Sequence, residues 1–447
     1  MNKRVYLINL GCPKNLVDSE IIISSLQKNG FVLSTCPEKA DFVIINTCGF
    51  IKGAVEEAKG YIEEYVKRKR KGEFSKLLVA GCLPQRFQEV LLDMYPDVDY
   101  FVGVNDILKI AEILKGNNEG KIFLSRKPLD YAGLERTVST YPYAYLKISE
   151  GCSKRCSFCT IPFIRGKYRS RKIEDIKKEC EFLVERGYRE IILVSQDITF
   201  YGVDIYGKPS LLNLLSSLEK IEGIKWIRLL YCYPRYFDDS LIRKIRDSEK
   251  IVKYIDLPVQ HISDKILKLM KRGTPPDYIK RLVEKLRKEI PGVFLRTSLI
   301  VGFPGEGKKD FEELKKFITE YPFDYIGVFP YSDEVGTEAF NLKKKLPMEE
   351  IEERAVEIYD LQRKISRKLN RKRVGRVYEA IVDGEHRERK GVYIARIYGQ
   401  APEIDSVTYL QGKGLKTGEF LKVKIIKAFD YDLEGEVLCA SENWFSE

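Results

Sequence analysis

The first third of the chain alternates short apolar runs with segments of helical periodicity. Residues 4–11 (RVYLINLG), 41–49 (DFVIINTCG) and 76–84 (KLLVAGCLP) are apolar runs typical of buried strands. Between them, a periodic segment at 19–30 and a long charged segment at 54–70 predict helices. This βαβαβ pattern predicts a mostly parallel sheet covered by helices, a doubly wound α/β domain.

The same alternation resumes after a linker-like stretch at 115–142 that is punctuated by Gly, Asn and Pro. Six or more βα units then follow one another, which favours a β/α barrel or partial barrel with its functional loops after the strands. An amphipathic helix at 347–373 and a set of short strands with glycine turns come last, and the strands predict a small antiparallel barrel. We therefore expect an α/β protein with domains at 1–135, 136–375 and 376–447.

The charge of the 447-residue chain, +11 in total, is unevenly divided. Residues 1–140 hold 20 basic and 18 acidic side chains, residues 141–375 hold 47 and 35, and residues 376–447 hold 10 and 13. No apolar run is long enough to span a membrane and no secretory signal pattern is present, so we expect a cytoplasmic protein with no membrane partner. In that reducing compartment, grouped cysteines are expected to bind metals or do redox chemistry.

The strongest chemical signal is a Cys-x3-Cys-x2-Cys triplet formed by Cys152, Cys156 and Cys159, directly after the strand-like run AYLKIS. Three thiolates this close can hold three irons of a [4Fe-4S] cluster and leave the fourth iron open to a small molecule. A structural zinc site is the alternative, but it needs a fourth Cys or His nearby, and the chain has only two histidines. With Phe158 before the third cysteine, the triplet resembles the radical S-adenosylmethionine (SAM) superfamily.

That resemblance implies that SAM binds the open iron and is cleaved to a 5′-deoxyadenosyl radical by an electron that comes from an external donor. It also implies a SAM site at the carboxyl ends of the barrel strands, in the segments SQD, PVQH and LRTSLIVGFPGE. A plain strand cap is the alternative role for Ser195 or Gln260. The predicted SAM contacts are Phe158, Ser195, Gln196, Asp197, Gln260, Arg296, Ser298 and Gly302. No catalytic acid or base is assigned.

Three further cysteines, Cys12, Cys48 and Cys82, stand at the carboxyl ends of the first three predicted strands, the edge where open α/β sheets bind ligands. Packing as small buried side chains is the alternative role. Their surroundings (GCPKN, NTCGFI and GCLPQR) resemble the amino-terminal domain of the methylthiotransferases. This resemblance implies a second, auxiliary [4Fe-4S] cluster, at which one SAM methylates a sulfur while another SAM supplies the radical. The remaining cysteines are predicted to be structural: Cys36, Cys180, Cys232 and Cys439.

The resemblance to methylthiotransferases covers essentially the whole chain, with a terminal barrel like a TRAM domain. The cysteine segments are similar to the branch that methylthiolates the β-carbon of an aspartate in small-subunit ribosomal protein twelve. The net charge of −3 over residues 376–447 agrees, because a tRNA-binding barrel should be basic, whereas an acidic one suits a basic protein. A tRNA adenosine methylthiotransferase is the second hypothesis, and a non-catalytic iron-sulfur protein that binds RNA or ribosomes is the third. We expect a monomer.

Overall fold

The structure, a computed structural model, describes residues 3–116, 120–131 and 133–438. Three bodies follow one another along the chain: an open parallel sheet, a parallel partial barrel and a small closed barrel. The predicted α/β class with this three-part organisation is confirmed. Within the described residues, no helix has the length and apolar character needed to cross a membrane.

The amino-terminal domain is a six-stranded parallel sheet in the order β2-β1-β3-β4-β5-β6. The apolar run of β3 is buried on both faces, because Ile44 packs under the helices of one side and Val43 and Ile45 under those of the other. The strands are β1 (Arg4–Asn9), β2 (Val32–Leu33), β3 (Phe42–Thr47), β4 (Lys76–Gly81), β5 (Tyr100–Gly103) and β6 (Ile122–Phe123). The helices are α1 (Pro13–Lys28), α2 (Lys52–Arg70), α3 (Cys82–Phe87), α4 (Val90–Met94) and α5 (Ile110–Leu114).

The central domain is an arc of six parallel strands in the order β14-β13-β12-β11-β10-β7, with its helices packed outside. Its strands are β7 (Tyr143–Lys147), β10 (Glu190–Val194), β11 (Trp226–Leu229), β12 (Ile251–Asp256), β13 (Phe294–Val301) and β14 (Tyr325–Pro330). A short ribbon, β8 (Ser149–Glu150) with β9 (Arg169–Ser170), flanks the loop after β7. The helices are α6 (Ile161–Arg165), α7 (Ile173–Glu185), α8 (Val203–Tyr206), α9 (Leu211–Leu218), α10 (Asp239–Asp247), α11 (Asp264–Leu269), α12 (Pro276–Glu289) and α13 (Lys308–Glu320).

The last helix, α14 (Met348–Arg371), buries Ile351, Ala355 and Ile358, which lie along one of its faces, in the core of the partial barrel. A closed five-stranded barrel follows, in the order β15-β16-β17-β19-β18. Four of its five pairings are antiparallel and the pairing of β17 with β19 is parallel. Its strands are β15 (Val377–Glu385), β16 (Val392–Ile397), β17 (Thr408–Gln411), β18 (Phe420–Ala428) and β19 (Leu433–Val437).

The closed barrel docks on the amino ends of the partial-barrel strands. Glu190, the first residue of β10, pairs with Arg228 at 2.8 Å and with Arg396 of the closed barrel at 2.8 Å. Arg396 also pairs with Asp383 at 2.7 Å, and the side chains of Glu190, Arg228 and Arg396 are at most 1% exposed. Trp226, the first residue of β11, donates from Nε1 to the carboxylate of Glu379 in β15 at 3.0 Å. This docking leaves the carboxyl ends of the strands for the site.

Arg396→Met is expected to lower the free energy of unfolding by about 3 kcal/mol, because it leaves the buried Glu190 with Arg228 alone and the partly exposed Asp383 without a cation. The thermal unfolding midpoint and the protease sensitivity of the closed barrel measure this change. The control is Lys177→Met, which removes the exposed pair with Glu181 and is expected to change stability by less than about 1 kcal/mol. Equal effects from the two variants would contradict the assigned role of the buried network.

Candidate active site

The three early cysteines come together at the carboxyl edge of the amino-terminal sheet. Cys12 precedes α1, Cys48 follows β3 and Cys82 begins α3. The side-chain oxygen Oδ1 of Asn15 accepts from the Cys12 thiol at 3.9 Å and from the Cys82 thiol at 3.6 Å. Burial raises the pKa of the Cys48 thiol to about 12, and the neighbouring Cys82 and Cys12 thiols act in the same direction. The three sulfurs therefore share one pocket.

Two glycines allow this convergence by having no side chain. A Cβ on Gly11, where φ is +98°, would lie 2.7 Å from Cβ of Cys48. A Cβ on Gly49 would lie 3.0 Å from the carbonyl carbon and oxygen of Cys82. Real Cβ contacts are rarely so short, so a larger residue at either position would push the cysteine loops apart. The glycines beside the cysteines in the sequence thus have a steric role.

A buried ionic network joins this cysteine pocket to the partial barrel. Nη2 of Arg165, at the end of α6, lies 3.2 Å from Cys82 Sγ, and Nη1 donates to Asp18 at 2.6 Å and Glu150 at 3.0 Å. Lys147 Nζ donates to the same carboxylates at 2.6 and 2.9 Å. Although burial alone would raise it, Arg165 and Lys147 hold the pKa of Glu150 well below its usual range. Two cations and two anions neutralise one another between the domains.

The second cysteine group, Cys152, Cys156 and Cys159, lies in the loop after β7 and β8, at the carboxyl edge of the partial barrel. Burial raises the pKa of the Cys159 thiol to about 12, with Cys156 and Cys152 contributing in the same direction. Arg272, beyond the end of α11, places Nη1 3.6 Å from Cys156 Sγ. The Arg272 guanidinium also lies 4.2 Å from the centre of the Tyr233 ring. This group therefore also has a cation beside one sulfur.

The two cysteine groups face each other across the domain boundary. Thr160, which follows Cys159, donates from Oγ1 to the carbonyl oxygen of Phe50 at 3.0 Å. Phe50 stands two residues after Cys48, so this hydrogen bond ties the two cysteine loops together. Arg165, five residues after Thr160, makes the contact with Cys82 described above.

Each cysteine group offers three thiols, the donor set that a [4Fe-4S] cluster with one open iron would need. No set of three or more His, Cys, Asp or Glu side chains in the described ranges is arranged to hold a metal ion. A cluster makes a different demand, because each thiolate binds its own iron at a separate corner. The shared Asn15 oxygen and the cations beside Cys82 and Cys156 fit such a cluster, since sulfur ligands are tuned by hydrogen bonds and nearby charge.

The predicted SAM contacts that follow β10 differ in their free hydrogen-bonding capacity. Asp197 pairs with Lys154, and its N–H donates to Ser195 Oγ at 3.0 Å, so these two side chains hold the loop itself. Gln196 donates from Nε2 to Glu150 at 2.9 Å. Its other amide atom, Oε1, is buried and has no hydrogen-bond partner among the described residues. An unmet acceptor at this position fits the ammonium group of SAM.

Backbone strain marks the ends of two neighbouring strands at the same edge. Gln260 has a φ of 72° and Tyr231 a φ of 62°, both in the left-handed region that side chains disfavour. Gln260 is held there by its N–H, which donates to Ser298 O at 2.9 Å, and by its carbonyl, which accepts from Ile300 N at 2.8 Å. Strain of this kind collects at functional sites, which agrees with the predicted role of Gln260.

Arg296 lies inside the partial barrel and is engaged by protein carboxylates. Its Nη1 lies 3.1 Å from Asp256 and 3.3 Å from Ser298 Oγ, and its Nε lies 3.3 Å from Asp405, which comes from the closed barrel. Tyr254 also donates to Asp405, at 2.7 Å. These contacts give Arg296 a structural role that the sequence did not indicate. A contact of Arg296 or Ser298 with SAM stays a prediction.

Gly302 and Phe158 lie where the loop after β13 packs on other elements. A Cβ on Gly302 would overlap the side chain of Ile351 in α14, and the Gly302 N–H donates to Glu306 at 2.9 Å. The absent side chain therefore makes room for α14, and an approach of adenine to Gly302 stays a prediction. The Phe158 ring meets the Phe303 ring edge to face, with 6.4 Å between their centres.

Sequence reasoning missed Asn15, Arg165 and Arg272. Asn15 stands inside GCPKN, and its closeness to Cys12 was the available signal. Arg165 and Arg272 belong to no motif, and each reaches its sulfur only through the fold. Of the cysteines predicted to be structural, Cys180 and Cys232 are buried in the core of the partial barrel, Cys36 is half-buried and Cys439 lies outside the described residues.

Comparison with known proteins agrees with this architecture. Residues 146–318 match the model of the radical SAM superfamily, residues 4–103 match the uncharacterized protein family UPF0004, and residues 374–438 match the TRAM domain. A solved structure of the radical SAM methyltransferase TsrM from Kitasatospora setae, with cobalamin and a [4Fe-4S] cluster bound, matches with a TM-score of 0.58 and 15% identity, over 74% of this chain and 72% of that chain. The cobalamin-dependent SAM radical enzyme OxsB matches with a TM-score of 0.51 and 14% identity, over 81% and 56%.

At such identities the solved structures share the fold alone. With the matched superfamily model and the cysteine loop after β7, that fold defines a radical SAM enzyme, a class that uses a [4Fe-4S] cluster and SAM. Curated relatives named ribosomal protein uS12 methylthiotransferase RimO are 47% identical in Acetivibrio thermocellus, over 98% of this chain and 99% of the relative, and 44% identical in Aquifex aeolicus, over 97% and 96%. The chain belongs to the family of the uS12 methylthiotransferases.

Gln260→Gly is expected to weaken SAM binding while leaving the protein at least as stable. Glycine removes the strain of the left-handed backbone, which costs about 1–2 kcal/mol for a residue with a side chain. The larger conformational entropy that glycine loses on folding offsets about 0.5–1 kcal/mol of this gain. The control, Lys344→Gly, removes an exposed left-handed residue with φ 62° and is expected to have the same effect on stability and none on SAM binding. Thermal unfolding and SAM dissociation constants measure both effects. Unchanged SAM affinity in Gln260→Gly would exclude the side chain from the SAM site.

Proposed function

We propose that this protein transfers a methylthio group to the β-carbon of an aspartate in ribosomal protein uS12, using SAM and two [4Fe-4S] clusters. The observation that carries the proposal is the pair of facing cysteine groups, joined by the Thr160–Phe50 hydrogen bond. A single cluster would need only the group at 152–159. The identity of 43–47% to curated uS12 methylthiotransferases over nearly the whole chain supports the acceptor.

In this proposal Cys152, Cys156 and Cys159 hold the cluster that binds SAM. The auxiliary cluster is held by Cys12, Cys48 and Cys82. When bound, the clusters and SAM supply the electron path, the radical and the methylthio group. Gln196 accepts a hydrogen bond from the ammonium of SAM through its free Oε1. Arg165 and Arg272 place positive charge beside one sulfur of each group, where it would offset the negative charge of a bound cluster.

Four carboxylates around the site are paired with cations. Asp18 and Glu150 pair with Arg165 and Lys147, Asp197 pairs with Lys154, and Asp256 pairs with Arg296. None of these four is therefore a free general base. Removing hydrogen from an unactivated β-carbon is radical chemistry and needs no such base, so this arrangement suits the proposed reaction.

A basic ribosomal protein suits the charge of residues 376–447 better than tRNA does. Residues 376–447 carry 10 basic and 13 acidic side chains, so the closed barrel and its tail attract a cationic partner and repel phosphates. We propose that the enzyme acts as a monomer and receives its electron from an external donor.

The two-cluster proposal predicts about eight irons per chain after anaerobic reconstitution. Cys48→Ser and Cys156→Ser are each expected to hold about four, because each removes a ligand from only one group. Cys156→Ser alone is expected to lose the cleavage of SAM to 5′-deoxyadenosine. Cys36→Ser, at a half-buried cysteine outside both groups, is the matched control and should keep the full iron content. A Cys156→Ser protein that still cleaves SAM would refute the assignment.

The acceptor is tested by incubating the reconstituted protein with SAM, a reductant and either a uS12 peptide or tRNA. Mass spectrometry is expected to find one added methylthio group on the aspartate of the peptide and none on the tRNA. Cys48→Ser should leave the peptide unmodified while still cleaving SAM. A methylthio group found only on tRNA would overturn the proposed acceptor in favour of adenosine.

A further inference from the structure

One cation near the cysteine groups, Lys14, forms no ion pair with any described residue. Lys14, two residues after Cys12, is 9% exposed, and its Nζ lies 4.0 Å from the centre of the Tyr231 ring. Among the residues that the structure describes, no carboxylate lies within ion-pair distance of Nζ and no oxygen accepts a hydrogen bond from it. The face of a tyrosine ring attracts an ammonium but does not neutralise it.

Three carboxylates near Lys14 and Tyr231 are already paired with other cations. Asp18 and Glu150 have Arg165 and Lys147, and the side chain of Asp256 has Arg296 and the N–H of Tyr231. Glu150 and the Cys12 thiol attract the Lys14 ammonium electrostatically, but neither is close enough to form an ion pair or a hydrogen bond with it. The Lys14 ammonium is therefore available to bind an anion that comes from outside the chain.

The position of Lys14 indicates which anion this is. The residue belongs to the amino-terminal domain and stands beside Cys12, while Tyr231 follows β11 at the mouth of the partial barrel. Tyr231 is fixed in its left-handed conformation by its N–H, which donates to Asp256 at 2.9 Å. The ammonium thus lies between the auxiliary cysteine group and the barrel mouth. An acceptor that meets both the radical and the methylthio group must enter this space.

We propose that the Lys14 ammonium binds the side-chain carboxylate of the acceptor aspartate and so determines specificity for aspartate. The proposal rests on the proposed function. In aspartate the carboxylate is attached directly to the β-carbon, so holding the carboxylate also positions the carbon that loses hydrogen. A charge-assisted hydrogen bond in a buried site favours the charged acid over its neutral amide, because the amide cannot neutralise the lysine.

The test measures binding of two uS12 peptides, one with the acceptor aspartate and one with asparagine in its place, to the reconstituted protein. The wild-type protein is expected to bind the aspartate peptide at least tenfold more tightly. Lys14→Met, similar in size and uncharged, is expected to lose this preference, and Lys14→Arg should keep most of it. Lys28→Met is the control, because Lys28 is exposed at the other end of the same helix, where it pairs with Glu135.

Iron content and the low-temperature EPR spectrum are measured on every variant. Loss of the aspartate preference in Lys14→Met, with the wild-type iron content, supports the proposal. If Lys14→Met keeps the wild-type preference for the aspartate peptide, the proposal is overturned. If that variant also loses iron, Lys14 serves the auxiliary cluster instead. A wild-type protein that binds and modifies neither peptide refutes the proposed function itself, whereas modification of the aspartate peptide with an unchanged Lys14→Met preference refutes only the role of Lys14.

Discussion

The guanidinium of Arg165 joins the amino-terminal domain to the partial barrel at the point where the two cysteine groups meet. It contacts Cys82 Sγ and Asp18 on one side of the boundary and Glu150 on the other. Without Arg165, the buried carboxylates of Asp18 and Glu150 would share Lys147 alone. Loss of one partner of a buried ion pair lowers the free energy of unfolding by about 3–5 kcal/mol. The alignment of the two strand edges, and hence any chemistry that needs both cysteine groups, depends on this contact.

A second set of buried ions fixes the opposite end of the partial barrel. Glu190 holds Arg396 of the closed barrel, and Asp405 of the closed barrel reaches Arg296 inside the strands. The amino ends of the strands are thereby covered, so a substrate meets the enzyme at the carboxyl edge. We interpret these networks as devices that fix the relative orientation of three bodies, since apolar contacts alone would hold them together with less directional preference.

Most charged side chains near the two cysteine groups are paired with one another, and a few polar groups are not. Asp18, Glu150, Asp197 and Asp256 near the cysteine groups are neutralised by Arg165, Lys147, Lys154 and Arg296, whereas Gln196 Oε1 has no hydrogen-bond partner among the described residues and the Lys14 ammonium packs on the Tyr231 ring. Backbone strain at Tyr231 and Gln260 lies at the same edge. A site of this kind binds, orients and excludes water, and leaves bond breaking to its cofactors.

The alternation of apolar runs and periodic segments was sufficient to predict the parallel sheet, the partial barrel and the closed barrel, because strands and helices follow from local hydrophobic spacing. The spacing of Cys152, Cys156 and Cys159 was informative as well, because the three cysteines lie within one loop. The contacts of Arg165 with Asn15, 150 residues apart, of Lys14 with Tyr231 and of Arg296 with Asp405 were not predictable. No periodicity connects such distant positions, because they meet only when separately folded elements pack. Tertiary packing therefore decides which buried charges are paired and which are not.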